Sequence, residues 1–386
     1  MTALVTRSLQ RRFLDACARL NDGRLRLTTP EGTRHDFGSD GPEADLHLRD
    51  WSVAAAVAAR GDIGFGEAYV AGLWETSSVE RVAAVALRNL DRFGTTAAPG
   101  PLRQAGLRLV DTVLRANSRR GAARNIRAHY DVGNEFYQLW LDPSMTYSSA
   151  LFAPGDDLER AQGRKYDRIL DRIGGAEQVL EIGCGWGGFA ERAAEDGRTV
   201  TGITISPSQK GYADARLDGR AEIRLQDYRD TRGRFDAIVS IEMVEAVGER
   251  YWPAYFATLR DRLVPGGRAV VQAITVPDEA FAAYRRRSDY IRHHTFPGGM
   301  LLSRAIIAEQ ARRAGLVLHD SFGFGSHYAE TCRLWGQRLE EAAPRIASLG
   351  HGDGFLRNWR YYLGICAAAF ATGRCDVLQV ELRHAA

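Results

Sequence analysis

The sequence predicts a doubly wound, mostly parallel α/β sheet preceded by a small α+β unit. Three observations carry this. An apolar run at residues 179–182 leads into glycines at 183, 185, 187 and 188 and then into a helical pattern at 189–196. Strand, tight turn and helix in that order open such a sheet. Short apolar runs then alternate with helical segments as far as residue 274. The chain before residue 94 instead shows β-like runs separated by turn signals, and then helices.

A chain of 386 residues is comfortable for two domains. Hydrophobic content of 45% and charged content of 26% read as soluble and globular. Net charge is only +3, so global electrostatics say little and no nucleic-acid partner is expected. The five cysteines have neither C-x-x-C nor zinc spacing, so they read as reduced thiols with no metal site. No apolar run approaches a membrane span, and the N-terminus lacks the apolar core of a signal peptide. A cytoplasmic protein is expected.

Residues 4–20 pattern as a helix with Leu9, Phe13, Ala16 and Leu20 on one face, ended by Gly23. β-like runs follow at 24–27, 33–37 and 44–48, then helical segments at 51–59, 65–71 and 79–92. This unit, residues 1–94, shows no catalytic constellation. Residues 95–127 read as a linker and a basic amphipathic helix, in which seven arginines from Arg103 to Arg127 face a single acid, Asp111. Such a helix can lie on an anionic membrane surface, where each basic residue contributes about 1 kcal/mol. It can equally be a solvated helix packed between domains. From 128 to 386 the pattern is one α/β domain with an insertion near 275–303.

In that domain, residues 129–152 are dense in aromatics, including Tyr130, Tyr137, Trp140, Tyr147 and Phe152, a composition that suits the cap of a cleft. A helix at 156–174 precedes the glycine turn. Further strands are expected at 199–205, 221–225, 235–240 and 268–274, with residues 264–267 as a turn. The insertion carries Arg285, Arg286, Arg287, Arg292, His293 and His294, which suit an anionic head group; a solvated helix face is the plainer alternative.

The spacing Gly183-x-Gly185-x-Gly187 is not the dinucleotide spacing, and no lysine follows to cradle phosphates. Glu181 just before the turn fits instead a loop for S-adenosylmethionine (AdoMet), where an acid can hold the methionine ammonium. Thr204, Ile205, Ser206 and Gln209 lie at the end of the next strand, where ribose hydroxyls would need neutral hydrogen bonds. Gln226, Asp227 and Tyr228 follow the third strand, with Asp227 able to accept from the adenine amino group. Cys184 reads as a small packing residue.

With these stretches in view, the chain resembles the cyclopropane-fatty-acyl-phospholipid synthase family of AdoMet-dependent methyltransferases. The resemblance rests on residues 129–137, 147–152, 179–189, 203–209, 241–248, Tyr328 and 359–366, and on Gly66 to Trp74 in the first unit. It implies a Rossmann-like class I methyltransferase domain with a seven-stranded doubly wound sheet. It adds Tyr147 and Ser148 to the cofactor contacts. It implies methylation of a cis double bond in a phospholipid acyl chain to a cyclopropane ring, with bicarbonate as the base. The pocket for that ion falls on Glu245, Tyr328 and the Ile274 carbonyl, with Ser149 in place of the family's cysteine and Gln272 in place of its histidine. Aromatic faces such as Tyr130, Tyr137, Phe152 and Tyr328 could stabilise the cationic intermediate.

Other outcomes stay open at this stage. A methylene- or methyl-branched product would follow from the same C-methylation, the latter with a reductase partner. A small-amine methyltransferase and a non-catalytic lipid-binding protein are the remaining readings. An unsaturated phospholipid substrate, an anionic membrane surface, a homodimer and a location at the inner face of the cell membrane are the expected partners and setting.

Overall fold

The computed structural model describes residues 3–93 and 132–385. The stretch at 95–127, His129 and Tyr130 lie outside the described residues. Two compact units emerge. Among the described residues the first comprises 3–93, 287–295 and 332–374, and the second 132–286, 296–331 and 375–385. The boundary drawn on the sequence, with 128–386 as one domain, is therefore redrawn: part of the insertion and a long C-terminal segment group with the N-terminal unit.

In the first unit, α1 (Ala3–Cys17) leads through Gly23, at φ +99°, into β1 (Arg24–Thr28), β2 (Arg34–Gly38) and β3 (Glu43–Leu48). With β4 (Trp74–Glu75) they form a sheet of order β2-β1-β3-β4 in which β1 and β3 are parallel. Helices α2 (Ser52–Arg60), α3 (Asp62–Val70) and α4 (Val79–Arg88) complete the N-terminal part, followed by the single turn α5 (Leu90–Phe93). α4 starts where Ser78 accepts from Arg81 N, a side-chain N-cap. The core gathers Leu27, Leu46, Val53, Tyr69, Trp74 and Val82 together with Tyr290 and Tyr361. The physical reason for the redrawn boundary lies here. The later segment brings Arg357 to donate to Tyr69 O and to pair with Glu75, and it packs Gly364 so closely on Val79 that a Cβ would stand 2.8 Å away.

The second unit follows the expected order. α6 (Asn134–Gln138) and α7 (Leu158–Ile173) precede β5 (Gln178–Ile182), α8 (Gly188–Glu195), β6 (Thr199–Thr204), α9 (Pro207–Leu217) and β7 (Glu222–Leu225). β8 (Phe235–Ile241), α10 (Val244–Val247), α11 (Trp252–Arg262), β9 (Leu263–Thr275), α12 (Asp278–Tyr284), α13 (Arg304–Arg313) and β10 (Leu316–Gly323) come next. α14 (Gly325–Glu341) begins in this unit and continues into the first, to which α15 (Ala343–Ser348) and α16 (Asp353–Ala371) belong, and β11 (Asp376–His384) closes the second. The sheet has seven strands among the described residues, in the order β10-β11-β9-β8-β5-β6-β7, with β11 antiparallel to both its neighbours.

Strands β5 and β6 are buried along nearly their whole length, as expected where helices cover both faces. Alternate residues divide between two cores: Leu180 and Ile182 join one, Val179 and Val200 the other. The chain leaves β5 towards β6 and later returns to β8 on its other side, so the strand order reverses at the carboxyl end of β5, where α/β sheets bind ligands. Residues 264–267, expected as a turn before the fifth strand, lie inside β9. Leu263 pairs with Phe235 and Arg268 with Ala237, so the glycines there absorb an irregularity in the ladder.

Candidate active site

The glycine turn sits at that reversal. Gly183, Gly185 and Gly187 have φ of +83°, +52° and +87°, the left-handed region in which other residues are strained. Both Gly183 N and Cys184 N donate to Ile203 O, at 2.9 and 3.0 Å, which pins the turn to β6. A Cβ on Gly183 would lie 2.8 Å from Met243 Cγ, whereas one on Gly185 would meet nothing within 4 Å. The turn is therefore closed towards β8 and open at Gly185. Cys184 is buried, and burial holds its thiol well above the usual range, so it is a packing residue.

Glu181, at the end of β5, is 3% exposed and its Oε2 has no hydrogen-bond partner. Burial pushes its carboxyl up to about 8 against the pull of Lys165. A buried carboxylate oxygen without a partner, beside a glycine turn open to a ligand, fits the ammonium of AdoMet. Lys165 is also fully buried, donating to Ser148 Oγ and Gln162 Oε1 at 2.7 Å each. Burial pushes it down to about 7, opposed by Glu242, Asp142 and Glu181.

The remaining cofactor candidates are more committed than their sequence suggests. Thr204 Oγ1 donates to Gln209 Oε1 at 2.8 Å, and Ser206 caps α9 by accepting from Gln209 N. Gln226 N donates to Thr204 O, tying the ends of β6 and β7 together. Asp227 accepts from Nε and Nη2 on one edge of the Arg229 guanidinium, at 2.8 and 2.6 Å, a pairing that sequence reading missed. Ile205 and Tyr228 are half-buried, and the Tyr228 hydroxyl is a buried group without a partner. Tyr147 packs on Tyr137 and Trp140, and Tyr137 packs on Trp186 with ring centroids 5.0 Å apart. Tyr137 is thus fully buried in an aromatic cluster with Trp140, Tyr147 and Trp186.

The catalytic candidates assemble, but around a different glutamate. Ser149 N donates to Glu242 Oε1 at 2.9 Å, Gln272 Nε2 to the same oxygen at 2.8 Å, and Tyr328 Oη to Oε2 at 2.6 Å. Glu245, the residue expected at the centre, instead accepts from Ile274 N, and its Oε2 has no partner. The difference between the two glutamates has a backbone cause. Glu242 follows the last residue of β8 with φ +48°, a left-handed conformation that turns the chain sharply and sends the two glutamates to different donors. The Ile274 group that engages the cluster is its amide, where its carbonyl was expected. Burial raises both carboxyls; Glu245 reaches about 8, helped by the charge of Glu242.

The supports of this cluster were invisible in the sequence. Gln379, on β11, donates to Gln272 Oε1 at 3.0 Å, which leaves the Gln272 amide nitrogen facing Glu242. Phe152 N donates to His327 Nδ1 and Ala150 N to Thr331 Oγ1, so α14 holds the strap on which Ser149 sits. The insertion near 275–303 is less available to a head group than expected. Arg285 pairs with Glu249, and Arg292 with Asp289, both at 2.8 Å. His293 contacts Arg60 and His294 contacts Glu67. Glu67, His293 and His294 lie close enough to hold a metal ion, but Arg60 already pairs with Glu67. Arg286 and Arg287 are exposed.

A seven-stranded sheet with one antiparallel strand, a glycine turn at its reversal and a buried acid with one unpartnered oxygen beside the turn define a class I AdoMet-dependent methyltransferase. The family model for mycolic acid cyclopropane synthetase matches residues 116–380, and the chain belongs to that family. It is 39% identical over 382 residues to the tuberculostearic acid methyltransferase UfaA1 of Mycobacterium tuberculosis, covering 93% of this chain and 87% of that protein. It is 34% identical over 342 residues to the cyclopropane-fatty-acyl-phospholipid synthase of Escherichia coli, covering 87% of each. The solved cyclopropane synthase MmaA2 of Mycobacterium tuberculosis superposes with a TM-score of 0.63 at 29% identity, over 67% of this chain and 97% of that one. CmaA1, a mycolic acid cyclopropane synthase solved with SAH and CTAB, gives the same values. Coclaurine N-methyltransferase, at 18% identity and a TM-score of 0.61, shares the fold.

The protein is thus an AdoMet-dependent methyltransferase of the cyclopropane and fatty acid methyltransferase family. No helix among the described residues is long and apolar enough to cross a membrane. Bicarbonate does not fit the site as folded, because the three donors expected to hold it already bind the Glu242 carboxylate.

Proposed function

We propose that this enzyme methylates a carbon of the cis double bond in an unsaturated acyl chain carried by a phospholipid. The observation that carries this is a buried carboxylate with three donors, one residue from Met243, which itself abuts the AdoMet turn. An O- or N-methyl acceptor carries a lone pair. An alkene does not, so its methylation creates a carbocation that must lose a proton, and a sheltered base beside the donor answers that need.

Bound AdoMet supplies an electrophilic methyl group on a sulfonium. The alkene π pair forms the new C–C bond as the S–C bond breaks, leaving positive charge on the neighbouring carbon. Glu181 and the glycine turn orient the donor, and the fully buried Ser149 and Gln272 help keep water from the cation. If the added methyl loses a proton directly, its C–H pair closes a cyclopropane ring. If a hydride shifts first, proton loss leaves a methylene branch, which a reductase partner would convert to a methyl branch.

The branch is our first reading of the product. It is supported by the 39% identity with a tuberculostearic acid methyltransferase and by Ser149 and Gln272, where ring formation with bicarbonate would call for cysteine and histidine. The ring is the second reading, supported by the family model and the Escherichia coli relative. Burying an acyl chain contributes about 0.8 kcal/mol per methylene, but leaving a bilayer offsets nearly all of it. Surface and head-group contacts must then supply the net attraction, through Arg286, Arg287 and the basic stretch. Lipid mass spectrometry of cells expressing the enzyme tests this reading. A gain of one CH2 per alkene is expected, and fragmentation to locate the new carbon separates branch from ring. Unsaturated lipids left unchanged would overturn it.

A further inference from the structure

In relatives of this kind the proton acceptor is expected to be a small ion taken from solution. The geometry here points elsewhere. We propose that the Glu242 carboxylate is the general base of this enzyme, built into the chain at the place where bicarbonate would otherwise sit. The inference rests on the lipid-methylating function proposed above.

Four observations carry it. First, the donors assigned to bicarbonate are already used: Ser149 N and Tyr328 Oη each have one hydrogen to give, and both go to Glu242. Second, the third donor is fixed in its orientation. Gln272 receives a hydrogen bond from Gln379 on its oxygen, so its nitrogen must face the carboxylate; turned over, it would set oxygen against oxygen. Third, a carboxylate presents the same planar O–C–O edge as bicarbonate, so donors suited to one suit the other. Fourth, the chain bears a left-handed backbone at a glutamate, φ +48°, to place that side chain there. Strain of this kind persists where surrounding structure demands it.

Adding bicarbonate would also set a second anion against the Glu242 carboxylate in a buried site, which repulsion disfavours. A tethered base has the further advantage that no ion must be captured and ordered. The step balances without another reagent. The C–H bond of the added methyl breaks, its electron pair forms the ring bond or, after the hydride shift, the methylene double bond, and the proton passes to Glu242 and then to solvent. Ser149, Gln272 and Tyr328 are positioning residues for that carboxylate.

The test compares wild-type enzyme, Glu242→Gly and Glu242→Gln in buffer stripped of carbon dioxide, with and without added sodium bicarbonate. Glycine suits the left-handed backbone at 242, so that variant relieves strain rather than adding it. Two readouts are taken: methyl transfer to vesicles of unsaturated phospholipid, and binding of 13C-bicarbonate followed by NMR. Wild-type turnover is expected to ignore bicarbonate, with no binding signal. Glu242→Gly should lose at least about 100-fold in stripped buffer. It should gain saturable bicarbonate binding and recover at least about tenfold in rate. Glu242→Gln, whose amide fills the cradle, should lose as much and recover nothing.

Wild-type turnover raised several-fold by bicarbonate would overturn the proposal, as would a Glu242→Gly enzyme that keeps full rate in stripped buffer. So would a folded, AdoMet-binding Glu242→Gly that neither binds nor responds to bicarbonate. Failure of wild-type enzyme to methylate any unsaturated lipid would instead remove the functional reading, and the NMR measurement would still report on the cradle.

Discussion

Tyr328→Phe isolates one hydrogen bond without disturbing the packing around it. The Tyr328 ring is 5% exposed, and its hydroxyl reaches Glu242 at 2.6 Å. Burial raises the Glu242 carboxyl, while Tyr328, Ser149 and Gln272 oppose that rise by hydrogen-bonding the charged form. A hydrogen bond to a charged group contributes about 1.5–3 kcal/mol, so losing it should raise the carboxyl further. The base must be ionised to act. The acid limb of the kcat/KM profile should therefore move to higher pH. Below the limb the variant should be about 10- to 100-fold slower than wild type, and well above it the two should converge. The assay follows radiolabelled methyl transfer from AdoMet to unsaturated phospholipid vesicles across the pH range, with thermal melting as a check on folding. A uniform loss of rate with an unmoved limb would refute the coupling between Tyr328 and Glu242. A limb displaced to lower pH would refute the sign.

Three further outcomes are expected. Glu181 must ionise to hold an ammonium, and its carboxyl stands at about 8 in the free protein. AdoMet affinity measured by calorimetry should therefore rise between about pH 6 and 7.5, and Glu181→Gln should bind more weakly with that slope gone; a wild-type affinity flat with pH would count against the role. Gly183→Ala places a Cβ 2.8 Å from Met243 Cγ at φ +83° and should cost about 1–3 kcal/mol in denaturant melting, with weaker AdoMet binding; wild-type values in both would show that the turn tolerates a side chain. The protein should sediment with anionic vesicles at low ionic strength and release as salt screens the attraction; binding indifferent to lipid charge and salt would remove the proposed surface contact.

Some of this architecture was written in local pattern. The glycine turn could be read because glycines at 183, 185 and 187 supply backbone freedom that is rare elsewhere, and all three adopt positive φ. Five of the sheet's strands followed from apolar runs of the right length, and the helix expected at 156–174 stands as α7, with Asp157 as the cap that the structure adds. The last two strands were not read, because β10 is half-exposed and gives no apolar run, while β11 follows the apolar helix α16 with little to separate them. The regrouping of residues 332–374 escaped for another reason: a buried helix advertises burial without saying against what.

Turns, periods and motif spacing, which are properties of neighbouring positions, pointed to the sheet and its AdoMet turn, and the family resemblance implied the chemistry and the residues around it. Which of two glutamates three residues apart holds the centre was a matter for the folded chain. Glu242 is selected by donors 93, 30 and 86 positions away, at Ser149, Gln272 and Tyr328, and by a backbone conformation that glutamate seldom adopts. Hydrogen bonds over such separations exist only once the strands have paired and the helix carrying Tyr328 has packed, so no local signal could have chosen between the two carboxylates.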